Sequence, residues 1–372
     1  MADGKTAMAT CVDAPARDSG DLETPGFDAF WPQLAAHLDA ALAPIANHSW
    51  MQQFLRFVPR TATDYLGFEA RLGVGDGPTD CALNLSADAI DWLTQGVAGA
   101  AAPIGSEWDR IRAFLLLWAE SGTPPLSDMT RVWLEFDMAA APALRPNLMF
   151  GYWPRGHEPL RTRAWLIDRA IPAALGAPLP PVTRALLEAG LDACAEADDF
   201  QIGLMTARAL PAVRLCVFDL PDGAIHTLAS AIGWRGDVDR VAALVTALRP
   251  HADFVGLHFD LAGEALPRVG IEPGFVASSW RRQPHLEPRW AGQFDVLEAA
   301  GALTPPKRAA LMAWPGHDRV MLGGRPTALL RGLSHVKLVL HGDGATEAKG
   351  YFGLAIRDLA QATAGERDAA AA

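Results

Sequence analysis

Five times along this sequence, two short runs of alternating apolar and polar side chains are joined by a brief, turn-rich link. Alternation with a period of two writes a strand with one buried face, and two such runs around a short link write an antiparallel hairpin. The predicted hairpins span Tyr65–Leu85, turning on Gly75-Asp76-Gly77-Pro78; Arg131–Trp153, through the looser link AAAPALRP; and Val213–Ile232, turning on Pro221-Asp222-Gly223. The last two are Phe254–Glu272, turning near Ala262-Gly263, and His335–Leu354, turning on His341-Gly342-Asp343-Gly344. Between them the period lengthens to about 3.6 and alanine and leucine take over, as amphipathic helices require. Helices are predicted over Phe30–Ala46, Ser86–Ala98, Ser106–Ser121, Leu160–Leu175, Pro181–Ala197, Asp237–Leu248, Ala291–Ala300, Pro305–Ala313 and Leu354–Thr363.

Ten antiparallel strands leave edges that must be paired or covered, and no Pro/Gly/Ser-rich linker divides the chain into separate units. One closed sheet satisfies every edge and gives each helix an outer wall to pack on. The fold class expected is therefore α+β: a single ten-stranded antiparallel barrel built from five hairpins inside a jacket of helices, spanning 27–364. Segments 1–26 and 365–372 read as disordered tails.

If helices cover the apolar strand faces, the polar faces point inward. A ten-stranded barrel is wider than the eight-stranded kind that side chains just fill, so a hydrated lumen is expected. The inward set contains the cations Arg71, Arg214, Arg268, Lys337 and Lys349, with Glu69, Glu135, Asp137, His258, Asp260, Glu272 and His335. Guanidinium and ammonium groups converging from several strands suit a di- or triphosphate, whose spread charge takes several charge-assisted hydrogen bonds. Carboxylates such as Glu69 and Glu135 can accept an N–H or O–H from a second substrate or act as base. The competing reading is an open sheet whose polar face is simply solvated.

Other features exclude more than they suggest. With 32 Lys and Arg against 43 Asp and Glu, the net charge of −11 argues against a nucleic-acid partner. No segment has the ~20 apolar residues of a membrane-spanning helix. Four cysteines far apart, without CxxC spacing, indicate neither a zinc site nor a disulfide framework, and the N-terminal stretch lacks a secretory apolar region. A cytoplasmic protein is the expectation. Gly73-Val-Gly-Asp-Gly leads into a strand instead of a helix, so it reads as a hairpin turn and not as a phosphate loop.

The repeated plan over roughly Phe30 to Thr363, together with HVKLVL carrying Lys337 and EAKGYF carrying Lys349, resembles the αββα (ABBA) prenyltransferase barrel of dimethylallyl-tryptophan synthases and cyanobactin peptide prenyltransferases. The resemblance implies a transferase that moves a prenyl group from an allylic diphosphate to an aromatic or peptide acceptor. It implies that Arg71, Arg214, Arg268, Lys337 and Lys349 hold the diphosphate, with no metal required though magnesium is possible, and that Glu69 orients the acceptor. The tryptophan-type enzymes shield the carbocation with several lumenal tyrosines. This chain has three tyrosines in all, Tyr65, Tyr152 and Tyr351. Trp133, Phe218, Phe254, His258 and Tyr351 are the candidates for the shield or the acceptor pocket. Two alternatives follow from the same lumen: a non-catalytic barrel that binds a peptide or apolar ligand, or a barrel with different group-transfer chemistry. Cations converging on one point favour the diphosphate; alternating ion pairs favour binding or structure.

Overall fold

The computed structural model describes residues 26–359 apart from 64, 86–88, 97–102, 120–131, 139–143, 153–162, 196, 198, 276–281 and 323, so both predicted tails lie almost wholly outside the described residues. Its strands are β1 (Tyr65–Arg71), β2 (Thr79–Asn84), β3 (Val132–Phe136), β4 (Asn147–Tyr152), β5 (Asp199–Leu204), β6 (Val213–Phe218), β7 (Phe254–Leu261), β8 (Ala265–Gly274), β9 (Gly316–Leu322), β10 (Arg325–His341) and β11 (Thr346–Asp358). Neighbouring strands pair antiparallel from β1 through β8, β8 pairs with β10, β10 with β11, and β11 returns to β1. Ten strands thus close into a barrel, and the open, solvated sheet is ruled out. β9 lies outside the ring, paired with the first half of β10.

The outer wall is covered by α1 (Trp31–His37), α2 (His48–Phe57), α3 (Ala89–Gln95), α4 (Ser106–Ala119), α5 (Ile171–Leu175, entered through a wide turn at Leu166–Ala170), α6 (Pro181–Ala193), α7 (Asp222–Ala231), α8 (Val238–Leu248), α9 (Arg289–Ala299) and α10 (Pro305–Ala313). Proline stands in the first turn of α1, α5, α6 and α10, where its missing N–H costs nothing. Asp237 caps α8 by accepting from the Arg240 N–H at 2.9 Å. The outward residues of the strands, among them Phe68, Leu134, Leu215, Leu257, Phe259, Leu338 and Phe352, join the helices in one continuous apolar layer. Each large side chain fully buried there contributes ~1.5–3 kcal/mol. Among the described residues no helix is long and apolar enough to cross a membrane.

Three expectations are corrected. Val213–Phe218 does not pair with Ala224–Ile232 as the third hairpin; its hairpin partner is β5, and Asp222–Ala231 is helix α7. The run AIHTLASAI is compatible with both periods, and the helical one wins because Ile225, Leu228, Ala229 and Ile232 bury a single stripe. The expected closing helix from Leu354 is instead strand as far as Asp358, where β11 pairs with the early part of β10. Finally, the single helix over Phe30–Ala46 is cut after His37, and a separate helix, α2, follows from His48.

Candidate functional site in the barrel lumen

Register places the inward side chains. Glu69 lies opposite Tyr351 and Asp80, Arg71 opposite Lys349, Arg214 opposite Asp260, and Cys216 opposite His258. Lys337 faces Lys349 directly, an unfavourable pairing of like charges unless each finds an acid on its other side. Each does. Lys349 Nζ lies 2.7 Å from Glu69 Oε1, and Lys337 Nζ lies 3.2 Å from Glu272 Oε2.

The charged lining falls into three groups. Around Glu69, Lys349 and Arg71 meet three carboxylates: Arg71 pairs with Glu69, with Asp80 at 2.8 Å and with Glu347 at 2.9 Å. Burial would raise the Glu69 pKa, but Lys349 and Arg71 with hydrogen bonds from Lys349 and Tyr351 outweigh it, holding the carboxyl well below the usual range. Asp80 shows the opposite balance: burial and the Glu69 charge push it up to about 6 against the pull of Arg71.

The second group centres on Asp260, which is 2 % exposed. Arg214 grips it through Nε at 2.7 Å and Nη2 at 3.1 Å, Arg268 binds Oδ2 through Nε at 2.8 Å and through Nη2, and Arg208 Nη1 lies 3.8 Å from Oδ2. The third group gathers basic side chains on Glu272 Oε2: His258 Nε2 at 3.1 Å, Lys337 at 3.2 Å and His335 Nε2 at 3.5 Å. Burial and the Lys337 charge push the His258 pKa down to about 4, so the imidazole is neutral at pH 7.

Glu135 stands apart. It faces the same lumen between Ala82 and Asn147, yet among the described residues no hydrogen bond or ion pair reaches its carboxyl. Burial raises its pKa against the opposing pull of Arg214 and Lys337.

One side of the lumen is apolar. Met149, Met205, Ala212, Cys216 and Phe218 form a buried cluster separate from the outer layer, with Trp133, Phe254, Ala262 and Leu266 packed against it. The aromatic rings lie over glycines on the next strand. A Cβ at Gly256 would sit 2.6 Å from Phe218 Cε1, and one at Gly274 would sit 2.1 Å from Phe254 Cζ. Phe218 and Phe254 meet edge to face at 5.5 Å, Trp133 meets Tyr65 at 5.5 Å, and Tyr351 stacks with His335 at 4.0 Å.

All of the inward cations, acids and aromatics expected from strand alternation therefore line one lumen, apart from Asp137, which is exposed just past the end of β3. The five cations do not stand free, however: each has a carboxylate within 3.2 Å. Sequence reasoning missed Asp80, Met149, Met205 and Arg208. Arg208 follows β5 in a turn that carries no alternation, and only correct recognition of β5 would have brought it to the lumen.

No protein-family model matches the sequence, and no curated protein sequence matches it. Among solved structures, the apo form of the prenyltransferase PriB superposes with a TM-score of 0.50 at 13% identity, covering 87% of this chain and 94% of that one. The prenyltransferase NotF, in complex with brevianamide F and DMSPP, superposes with a TM-score of 0.50 at 10% identity, covering 88% and 92%. The fold is the ABBA prenyltransferase barrel. At such identities the likeness concerns the ABBA barrel itself, and function has to be argued from the lumen.

Proposed function

We propose that this ABBA barrel transfers a prenyl group from an allylic diphosphate to an aromatic acceptor, free or within a peptide. The observation that carries the reading is the division of the lumen: guanidinium and ammonium groups on one part of the wall, and the pocket of Trp133, Met149, Met205, Phe218 and Phe254 beside them. A prenyl diphosphate has the same two parts, an anionic head and an apolar tail. The relationship in fold to NotF, whose structure holds brevianamide F and DMSPP, supports the same reading.

In the proposed reaction the C–O bond to diphosphate breaks and the electron pair leaves with the diphosphate, whose charge the cationic side chains stabilise. Trp133, Phe218 and Phe254 offer aromatic faces to the allyl cation, and the closed barrel limits its capture by water. The acceptor ring attacks, and its displaced proton passes to Glu135, a lumenal carboxyl with no hydrogen bond or ion pair among the described residues. Among the described residues no group of three His, Cys, Asp or Glu side chains is arranged to hold a metal ion. Any magnesium would enter bound to the diphosphate, and no step is assigned to it.

The pairing of all five cations favours a second reading, in which the lumen holds an amphiphile or peptide without chemistry. Incubation with dimethylallyl and geranyl diphosphate and a panel of indoles, phenols and peptides separates the two. Diphosphate release with a prenylated product supports transfer, and binding of a non-hydrolysable analogue without release supports the second reading. Neither release nor binding rejects both.

A further inference from the structure

Resting on the transfer reading, we propose that Cys216 is an acceptor built into the barrel: when no external acceptor is bound, the prenyl group passes from the diphosphate to the Cys216 sulfur and the chain prenylates itself. Cys216 stands on the inward face of β6 between Arg214 and Phe218, opposite Gln201 of β5 and His258 of β7. It belongs to the buried apolar cluster of Met149, Met205, Ala212 and Phe218, so its sulfur is part of the surface assigned above to the prenyl tail. The other described cysteines are placed elsewhere. Cys81 and Cys194 are buried in the apolar layer between strands and helices.

A base stands beside the thiol. Cys216 Sγ lies 3.2 Å from His258 Nδ1, and Lys337 Nζ lies 3.2 Å from the same nitrogen. An ammonium only donates, so Nδ1 is the accepting nitrogen and the proton of the neutral ring is on Nε2, 3.1 Å from Glu272 Oε2. The ring is held in place. Phe218 meets it edge to face at 5.9 Å, and His258 and Lys337 both lie over Gly270, where a Cβ would sit 3.3 Å from His258 Cβ and 3.2 Å from Lys337 Cδ. Burial pushes the Cys216 thiol up against the pull of Arg214 and Lys337, so the sulfur keeps its proton at pH 7. Ordinary thiol reagents need a thiolate. An allyl cation takes the lone pair of a neutral sulfur.

The step balances. The C–O bond to diphosphate breaks and its electron pair leaves with the diphosphate, a sulfur lone pair forms the S–C bond, and the S–H proton passes to His258 Nδ1. The products are a thioether and free diphosphate. Cys216 is fully buried within its cluster, and Met149 and Met205, unbranched and freely turning, are the members that yield to an entering tail. The thioether then fills the space of the tail, so the reaction happens once per chain and ends turnover. An aromatic acceptor seated against the cation competes with the sulfur and protects the barrel from this loss.

The test is mass spectrometry of the full chain after incubation with dimethylallyl diphosphate, and in parallel with geranyl diphosphate, in the absence of any acceptor. The intact mass should rise by one prenyl group, and proteolytic peptides should place the addition on Cys216. Cys216→Ala, with its melting temperature compared with wild type, should gain no mass. Peptide mapping of the wild type reads the site independently of whether that variant folds. An addition carried by Cys11, Cys81 or Cys194 instead, an equal gain in folded Cys216→Ala, or diphosphate release without any gain would each overturn the assignment. These outcomes are separate from transfer to an external acceptor. A prenylated indole, phenol or peptide with no addition on Cys216 removes self-prenylation alone, and the absence of product, diphosphate release and addition together removes both.

Discussion

Replacing Asp260 by asparagine tests whether one carboxylate holds three guanidiniums together. Asp260 is buried and takes hydrogen bonds of 2.7 and 3.1 Å from Arg214 and 2.8 Å from Arg268. Asparagine keeps the shape but removes the charge and turns one acceptor into a donor facing guanidinium. Breaking a buried pair by removing one partner costs about 3–5 kcal/mol, because the remaining charges stay buried and uncompensated. Unfolding entropy of about 2.1 cal/mol/K per residue over 372 residues is about 0.8 kcal/mol/K, so the melting temperature should fall by about 4–6 °C. Differential scanning calorimetry of Asp260→Asn, with urea unfolding at pH 7 as a check, measures the loss. A melting temperature within about 1 °C of wild type would refute the idea that Asp260 holds this part of the lumen together.

Three further outcomes follow from the same structure. If Glu135 takes the acceptor's proton it must be ionised, so product formation should fall as pH drops through a pKa raised above 4.5 by burial; Glu135→Gln should lose ~10²-fold or more in rate and lack that limb, and an unchanged pH profile would remove the role. His258, held by burial and Lys337 at about 4 against 6.5 for the free group, stays neutral while the unfolded chain takes up a proton, so stability falls as pH drops from 6.5 towards 4, by ~3 kcal/mol at most. His258→Asn should therefore lose less stability than wild type between pH 7 and 4.5 in urea titrations, and equal losses would contradict the burial account. Gly190→Ala in α6 gains helix propensity but puts a Cβ 2.7 Å from Leu215 Cδ2 and 3.2 Å from Ile232 Cγ2; crowding should win and cost ~1–3 kcal/mol, whereas a raised melting temperature would show that the contact yields.

Much of this architecture is legible in the sequence because two-residue alternation survives in strands whose outer face lies under helices. Val255, Leu257 and Phe259 against His258 and Asp260 can be written in few other ways. The failures have equally local causes. Ala224–Ile232 carries both periods, and the strand that displaced it, Asp199–Leu204, alternates Phe200, Ile202 and Leu204 with Asp199, Gln201 and Gly203 over only six residues, a few residues after α6. β9 alternates but adds an eleventh strand outside the ring, which closure arguments do not require.

The lumen shows a sharper boundary. Alternation says that Arg71, Arg214, Lys337 and Lys349 point inward; it does not say which acids stand opposite, because that depends on register and on strands far apart in the chain. Glu69 illustrates the cost. By position on the first strand it was the expected acceptor-orienting acid, yet Lys349, Arg71 and Tyr351 already occupy it, while Glu135 is left open. Arg208 carries no periodic signal at all and reaches the lumen only through the β5–β6 turn.

The central claim, a divided lumen made for a prenyl diphosphate, is tested most directly by a crystal structure of the protein soaked with a non-hydrolysable prenyl thiodiphosphate. The diphosphate should lie against the lumenal guanidinium or ammonium groups, with the prenyl tail among Trp133, Met149, Phe218 and Phe254. A ligand bound only outside the barrel, or one whose prenyl tail lies away from that pocket, would contradict it.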